Sequence, residues 1–286
     1  MAEAAVIIPH YNDVARLGRC LAALVPQRWA GVEVVVVDNA STDSLDPIRR
    51  ACPQARIVIE PQKGAAHARN RGVVETTAPL LFFLDCDCVP APDWLAVAMQ
   101  AVTRADLVGG RVDVFDETPP PRTGAQAFEA VCAFDNRGYV TRKGFSVSAN
   151  LLMRREVFRA VGPFVHGLSE DLDWCRRATA KGYRLAYADD LVVGHPSRGD
   201  WAALRRKWRR VNDETFALLP PGVGSRLRWG ARAALMPFSI LAHAPRVLTS
   251  PALRGAGERG PALATLARLR LVRAGWMLAQ AVAGGG

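Results

Sequence analysis

The chain has 286 residues, six scattered cysteines and a globular composition, which exclude a small disulfide-stapled domain and indicate a reduced, cytoplasmic protein with a large core. The formal net charge is +10, and it lies almost wholly in residues 201–286, where 14 basic and 3 acidic residues give +11. The near-neutral remainder excludes a nucleic-acid-binding body, whose phosphate contacts need a basic surface, whereas a basic end favours an anionic membrane as partner.

The first 90 residues alternate short apolar runs with amphipathic segments. The start of the chain, MAEAAVIIPHYND, has too few apolar residues for a signal peptide or a membrane span. The pattern predicts strands over 4–8, 32–37, 56–59 and 80–84, and helices over 14–25, around Pro47 and over 65–77. Because strands alternate with helices, we expect a sheet with parallel strands that is covered on both faces.

Polar side chains collect where these four strands end. In strand order they are Tyr11 with Asp13, Asp38 with Asn39, Lys63, and Asp85 with Asp87. Each has a simpler local explanation, such as a helix cap or a solvated turn. Together they predict one polar rim at the carboxyl edge of the sheet, where α/β proteins bind ligands. The last two acids, one residue apart, face the same way and suit a hard divalent cation.

Four ordered motifs in this region, VIIPHYND, VVVVDNASTD, KGAAHARNRG and LLFFLDCDC, resemble the family 2 glycosyltransferases, which have the GT-A fold. Members of that family move a sugar from a nucleotide-sugar donor with inversion at the anomeric carbon. The resemblance implies that Pro9, Tyr11 and Asp38 line the nucleoside pocket and that Arg69 lies near the donor. His10 departs from the family, which often has Thr or Ser there.

The resemblance also assigns the two acids after the fourth strand to the D-x-D motif of the family. It implies that Asp87 binds Mn²⁺ or Mg²⁺ directly, and that the metal bridges the diphosphate of the donor. Asp85 is then expected at the donor ribose, in the outer shell of the metal or as a further ligand. Cys86 and Cys88 lack the spacing of a zinc site and are expected to pack.

Residues 91–200 predict a second set of elements. They are helices over 92–104 and 125–137, a basic loop over 138–144, strands over 107–115, 146–153 and 191–193, and a helix from Arg155. A further helix opens at Ser169 with the acidic segment SEDLD. Acids in a first helical turn complement the helix dipole, and a carboxylate there is equally well placed to act as a general base.

The segments SANLLMRREVFRAVGPF and SEDLDWCRRATAKGYRLAY are similar to the acceptor half of the same family. The similarity carries the base role onto Asp171, with Glu170 as its neighbour and an acceptor contact, and places Asn150 near the acceptor or the donor sugar. Trp174 lies at the acceptor edge or packs in the core. His195 completes the metal site, contacts the diphosphate, or is an ordinary loop histidine.

The last 86 residues are basic and helical. Trp201, Leu204, Trp208 and Val211 share one helical stripe, which indicates either an interfacial membrane helix or a helix packed on the protein. Two later apolar stretches, 229–247 and 261–283, contain arginines that make spanning a bilayer costly. We expect them to lie on an anionic membrane surface.

The predicted fold is a mixed, mainly parallel α/β sheet of GT-A type flanked by helices, with a basic helical extension. Residues 1–200 form the catalytic domain, in which 1–90 bind the nucleotide and 91–200 the acceptor, and 201–286 form the tail. The predicted activity is the transfer of a sugar, with inversion, from a nucleotide-sugar to a glycan or lipid-linked acceptor, and a UDP-sugar is the favoured donor. We expect this reaction to serve cell-envelope polysaccharide synthesis and to take place on the cytoplasmic face of the membrane. The alternatives are nucleotidyltransfer to a sugar phosphate and a non-catalytic membrane-binding module.

Overall fold

The computed structural model describes residues 2–27 and 30–283, and the chain divides into two units. Unit 1 contains the chain through Asp113 and again Asp135–His195. Unit 2 contains Val114–Phe134 and the chain from Pro196 onward. The segment Val114–Phe134, predicted within the acceptor half, therefore groups with the helical end of the chain. The functional boundary at residue 200 stays a prediction.

One mixed sheet contains the eight strands of the described residues, in the order β3-β2-β1-β4-β7-β6-β8-β5. The strands are β1 Ala4–His10, β2 Val32–Asp38, β3 Arg56–Ile59, β4 Leu80–Leu84, β5 Val89–Pro90, β6 Leu107–Phe115, β7 Asn150–Arg154 and β8 Leu185–Pro196. Strands β1 to β4 pair in parallel, whereas β7 runs antiparallel to β4 and β6, and β5 antiparallel to β8. The predicted mixed sheet is confirmed.

The central parallel strands β1 and β4 are buried on both faces, which explains their uninterrupted apolar sequences, whereas β3 at the sheet edge is half exposed. All seven residues of β1 are buried, and four of the five in β4. Parallel register pairs His10 with Asp38 across β1 and β2, and Ile7 with Phe83 across β1 and β4. The carboxyl ends of the first, second and fourth strands therefore lie at one edge, as the sequence predicts.

Twelve helices accompany the strands in the part of the chain that the structure describes. They are α1 Val14–Leu24, α2 Asp46–Ala51, α3 Ala65–Val74, α4 Trp94–Ala101, α5 Gly124–Cys132, α6 Asn136–Lys143, α7 Arg155–Val161, α8 Glu170–Ala180, α9 Trp201–Ala217, α10 Val223–Leu235, α11 Ser239–Leu248 and α12 Gly255–Ala283. Asp13 caps α1 as predicted, because its side chain accepts from the backbone N–H of Arg16.

One predicted loop is wrong, since residues 138–144 belong mostly to helix α6. Asp135 caps this helix by accepting from the backbone N–H of Gly138, and Gly144 ends it in a left-handed conformation. Arg142 and Lys143 lie in its last turn, where cations complement the helix dipole. The basic composition that indicated a loop is therefore the end of a helix. The predicted helix over 125–137 is correspondingly two helices, α5 and α6, with a break between them.

Helix α3 lies close against the sheet because it contains a glycine. A Cβ on Gly72 would come within 2.4 Å of Ile7 Cγ2 on β1 and 3.2 Å of Val37 Cγ2 on β2. A larger residue would force the helix outward. This close approach fixes the distance between the helix and the sheet, and therefore the position of Arg69, which lies one turn earlier on the same helix.

Unit 2 has its own apolar clusters, formed by α5 and α9 to α12. Trp201 and Trp208 of α9 pack against the cluster that includes Phe128, Leu266 and Leu269. Of the two interpretations that the sequence left open for α9, the structure favours packing. In the described residues, no helix has both the length and the apolar character needed to cross a bilayer.

Candidate active site

The ends of β1 and β2 are joined by a buried His–Asp pair. His10 Nδ1 lies 3.1 Å from Asp38 Oδ1, and His10 Nε2 accepts from the backbone N–H of Asp13 at 3.1 Å. This geometry fits the tautomer that has its proton on Nδ1 and donates it to Asp38. The second carboxylate oxygen of Asp38 accepts from the backbone N–H of Ser41 at 3.4 Å. Asp38 therefore has a fixed orientation at the predicted nucleoside pocket.

Tyr11 projects from the same edge and is half exposed, at 51%. The ammonium of Lys63 lies 3.9 Å from the centre of its ring and donates to the carbonyl oxygen of Ala40 at 2.9 Å. A cation over one ring face leaves the other face for a planar group. Pro9 is buried within β1, directly before His10.

Asn39, which the sequence placed with Asp38 on the polar rim, holds the loop that leads into α3. Its amide nitrogen donates to the carbonyl oxygens of Glu60 and Gln62 at 3.0 and 2.7 Å, and its oxygen accepts from the backbone N–H of Gly64 at 2.7 Å. Gly64 has φ +131, and a Cβ there would meet the His166 ring at 2.2 Å. The loop before α8 therefore lies directly on this glycine.

Arg69 connects the D-x-D segment to the start of α8. Its Nη2 lies 2.6 Å from Asp85 Oδ1, and its Nη1 contacts Glu170 Oε1. Burial opposes the charge of Arg69, but Asp85 and Glu170 raise its pKa above the ordinary value. One guanidinium thus holds together two carboxylates that are far apart in the sequence, because its two terminal nitrogens donate in fixed directions within one plane.

Asp87 lies beside His195, at the end of β8. The distance from His195 Nε2 to Asp87 Oδ2 is 3.4 Å. A carboxylate oxygen and an imidazole nitrogen at this spacing fit two neighbouring ligands of one octahedral cation, whose other positions are typically filled by phosphates and water. Within residues 2–27 and 30–283 no three His, Cys, Asp or Glu side chains form a fuller set. The residues therefore fit a divalent cation held jointly with a substrate.

The two cysteines of this segment are poor thiolates. Burial, and then the charges of Asp87 and Asp85, raise the pKa of Cys86 and Cys88 well above the ordinary value for a thiol. The Cys88 thiol is 3.8 Å from Asp87 Oδ1 and donates to it. Cys88 is fully buried and packs, as predicted.

Asp171 lies in the first turn of α8, next to the carboxylate that pairs with Arg69. The backbone N–H of Leu172 donates to Asp171 Oδ1 at 2.8 Å, and the Ser169 hydroxyl donates to the same oxygen at 3.5 Å. Burial and then the charge of Glu170 raise the pKa of Asp171, although Arg69 opposes the shift. A carboxylate with a raised pKa is a stronger base once it is ionised.

Trp174 and Asn150, both named for the acceptor side, lie in the interior, which for Trp174 is the packing alternative. Trp174 is fully buried, stacks on Phe158 with ring centres 5.8 Å apart, and donates to the carbonyl oxygen of Gly162. Asn150 is also fully buried, and its amide contacts only protein groups. Both support the site from behind, because neither has surface that a sugar can contact.

The remaining predicted site residues all belong to unit 1, and several of them are in contact. Arg69 joins Asp85 to Glu170, Asp171 follows Glu170, and Asp87 meets His195. Arg177 pairs with Asp173 at 2.8 Å, as expected of a structural residue.

Comparison with known proteins identifies the family. Residues 5–162 match the family described as Glycosyl transferase family 2. The glycosyltransferase AglE of Haloferax volcanii is 34% identical over 215 residues, which cover 71% of this chain and 70% of AglE. The chain is a family 2 glycosyltransferase. The family membership selects this activity over the nucleotidyltransferase and the non-catalytic module that the sequence left as alternatives.

Other similar proteins extend this result to the fold. The pre-mycofactocin glycosyltransferase of Mycobacterium tuberculosis is 29% identical over 221 residues, which cover 70% of this glycosyltransferase but 45% of the relative. The mannosyltransferase PcManGT from Pyrobaculum calidifontis, solved with GDP-Man and Mn²⁺, has a TM-score of 0.50 at 20% identity, covering 99% of this chain and 76% of its own. TarS 1–349 of S. aureus, solved with UDP-GlcNAc, has a TM-score of 0.54 at 17% identity, and the match covers 92% of this chain and 70% of the TarS chain. These structures confirm the predicted GT-A-like fold.

Proposed function

We propose that this enzyme transfers a sugar, with inversion, from a nucleotide-sugar to a hydroxyl of a glycan or lipid-linked acceptor. The observation that carries the proposal is the Arg69 bridge, because it joins the D-x-D segment to the helix start that bears Asp171. A metal-diphosphate site and a base can act on one anomeric carbon only if they lie on the same side of the sheet. The bridge supports that arrangement.

The donor would bind along the ends of the first strands. Tyr11 presents one ring face to the base, and Asp38, oriented by His10, accepts from the nucleoside. Pro9 shapes this pocket, and Asp85 orients the ribose from its pair with Arg69. A UDP-sugar is the favoured donor. The solved neighbours bind GDP-Man in one case and UDP-GlcNAc in the other, which supports a nucleotide-sugar without choosing the base.

Asp87 and His195 would hold the divalent cation, Mn²⁺ or Mg²⁺, together with oxygens of the diphosphate. When bound, the cation supplies Lewis-acid stabilisation of the negative charge that develops on the leaving diphosphate. The Mn²⁺ in the PcManGT complex is consistent with such a site.

Asp171 would act as the general base. It takes the proton of the acceptor hydroxyl as the hydroxyl oxygen forms a bond to the anomeric carbon, and the bond from that carbon to the diphosphate oxygen breaks on the opposite face. The negative charge leaves with the nucleoside diphosphate, and the proton stays on Asp171 until solvent removes it. Burial, and then the charge of Glu170, which Arg69 fixes in place, raise the pKa of Asp171.

The basic charge of the tail supports peripheral attachment of the enzyme to the cytoplasmic face of an anionic membrane. A lipid-linked acceptor for cell-envelope polysaccharide synthesis would lie in that membrane. Residues 201–286 carry a net charge of +11. Each basic residue near an anionic leaflet contributes about 1 kcal/mol of attraction. We assign catalysis to residues 1–200 and membrane contact to residues 201–286.

The base assignment is tested with Asp171→Asn, with Asp173→Asn as the matched control. Both acids lie in the first turn of α8, but Asp173 pairs with Arg177. We expect Asp171→Asn to lower glycosyl transfer by about 10²–10⁴-fold, the usual contribution of a general base, and the control to keep it. Nucleoside diphosphate release with a panel of nucleotide-sugars measures transfer, and thermal stabilisation by UDP or GDP with Mn²⁺ checks nucleotide binding. Near-native turnover in Asp171→Asn would refute the assignment.

A further inference from the structure

Helices α10 and α11 and the turn between them expose large apolar side chains. Six of them are between 49% and 75% exposed, and we call them the outer stripe: Val223, Leu227, Leu235, Phe238, Leu241 and Leu248. Single exposed apolar residues are ordinary on a protein surface, but six large ones within 26 consecutive residues are more than that background and call for an apolar partner. The sequence did not single out these six residues.

The spacing shows that α10 is apolar on two opposite faces. Its inner face packs Trp229, Ala233 and Met236, at spacings of four and three, into an apolar cluster of unit 2. Its outer face carries Val223, Leu227 and Leu235, at spacings that are multiples of four. A helix at a water-exposed surface needs only the inner face, so the outer face is matched to a second apolar environment.

The charge around the outer stripe has one sign. Residues 215–257 contain no Asp or Glu, while they contain five arginines. Four of these are exposed: Arg228, Arg232, Arg246 and Arg254. Exposed apolar side chains and exposed arginines in a segment that has no acidic residue match the boundary between lipid chains and anionic headgroups. A second copy of the same stripe would instead place like charges against each other.

Helix α9, the basic helix with tryptophans, is arranged differently. Its Trp201 and Trp208 pack inward, and the guanidinium groups of Arg268 and Arg273 stack on their rings at 4.1 and 4.4 Å. Its outward side presents arginines without large apolar residues, as at Arg206 and Arg210. Charge alone attracts α9 to a membrane, but nothing on its outer side can insert.

We propose that the outer stripe of α10 and α11, with its flanking arginines, is the surface that lies in an anionic lipid bilayer, and that α9 is not. The inference rests on the proposed membrane attachment of residues 201–286 and assigns it to one face. Leu227, Leu235, Phe238 and Leu241 enter the boundary of the acyl chains, while Arg228 and Arg232 contact lipid phosphates.

The test is flotation of the full chain with phosphatidylcholine vesicles that contain or lack phosphatidylglycerol. The apolar variant is Phe238→Ser with Leu241→Ser, the charge variant Arg228→Gln with Arg232→Gln, and the matched control Arg206→Gln with Arg210→Gln on α9. We expect wild type to bind only anionic vesicles. The apolar variant should bind at least about tenfold more weakly, the charge variant about 30-fold more weakly, and the control less than about threefold more weakly.

Three results would overturn the inference: equal loss in the α9 control, unchanged binding in the apolar variant, or a wild-type dimer that the apolar variant dissociates while vesicle binding persists. All substituted residues are exposed, so an unchanged thermal midpoint is expected and separates lost binding from misfolding. Stabilisation by UDP or GDP with Mn²⁺ is measured on the same proteins. A variant that no longer binds vesicles but is still stabilised by the nucleotide has lost only its membrane face. If the nucleotide does not stabilise the wild type, the result counts against the proposed transferase function instead.

Discussion

Among single residues, Arg69 has the largest influence on the proposed site. It is buried, and its two terminal nitrogens contact Asp85 and Glu170. A buried cation between two carboxylates limits their movement, and removing it would leave both acids without a counter-ion. The family resemblance placed Arg69 near the donor, but it did not indicate that the residue links the two halves of the site.

Asp171 yields a prediction about pH. The groups that set its pKa are Glu170 and Asp85, which raise it together with burial, and Arg69, which lowers it. Because the base must be ionised, turnover should rise with pH through this raised pKa. Replacing Glu170 with Gln removes one cause of the upward shift, so the acid limb of the profile should move to lower pH. The pH dependence of kcat/KM measures the displacement.

Asp173→Asn is the control for this displacement. Asp173 pairs with Arg177 and does not contribute to the shift of Asp171, so its replacement should leave the acid limb in place. An acid limb that stays fixed in Glu170→Gln, or that moves to higher pH, would show that another group limits the rate.

Among the elements, β7 contains a buried polar residue, Asn150, whose side chain connects neighbouring strands of the sheet. Asn150, the first residue of β7, accepts from the Trp94 indole N–H on α4 at 3.0 Å. Its amide nitrogen donates to the carbonyl oxygens of Arg111 on β6 and Leu191 on β8, at 3.0 and 2.9 Å. One side chain therefore joins four elements behind the site, and every one of its polar atoms has a protein partner.

We predict that Asn150→Ala destabilises the fold rather than the acceptor complex. It leaves two buried groups, the Trp94 indole N–H and the Leu191 carbonyl oxygen, and one part-buried group, the Arg111 carbonyl oxygen, without this partner. Each buried group left unpaired costs about 1–3 kcal/mol, so the free energy of unfolding should fall by at least about 2 kcal/mol. Trp94→Phe, which removes one of these bonds, should cost about 1–3 kcal/mol. Urea unfolding measures both changes. A stable Asn150→Ala protein with a raised acceptor KM would restore the acceptor-side role that the sequence assigned.

At the scale of the whole molecule, charge is distributed very differently in the two units. In unit 2, Glu129 is buried and accepts from Lys207 Nζ and Arg198 Nη1, both at 3.0 Å. Burial opposes its ionisation, but these two cations lower the pKa of Glu129. Burial also lowers the pKa of Lys207, to about 8. This single acid therefore balances two buried or half-buried cations in a strongly basic unit.

Glu129→Gln should lower the free energy of unfolding by about 3–5 kcal/mol, because it leaves uncompensated charge in the interior. The deficit should be greatest at a pH where Lys207 is charged in both folded proteins, and it should narrow as the pH rises toward about 8. The variant lacks the carboxylate that raises the pKa of Lys207, so its folded state loses this proton at a lower pH than the wild type does. Denaturant unfolding at pH 7 and pH 9 measures this dependence. Glu156→Gln, which removes an exposed carboxylate 3.6 Å from Arg154, is the control and should cost less than about 1 kcal/mol. A deficit that is equal at both pH values would contradict the role of Lys207.

The sequence by itself determined the parallel half of the sheet and the acids at its edge. Strands β3, β4 and β6 have the predicted bounds, and β1 and β2 differ by one or two residues. Strands β1 and β4 and most of β2 are buried on both faces, so their apolar runs end where the backbone leaves the core. The D-x-D segment and the acidic start of α8 are likewise local patterns, readable without any tertiary contact.

Only the tertiary structure decided which of these residues meet and which surface each helix turns outward. Arg69 reaches Glu170 across 101 positions of the chain, and no local pattern specifies that contact. Trp174 and the tryptophans of α9 could equally have bound a ligand or packed, and the structure packs them. The apolar side of α10 and α11 was equally open. The physical reason is that the burial of a side chain depends on neighbours that are distant in the sequence. The periodicity of a helix or strand shows only that the element has an apolar face and does not show what covers that face.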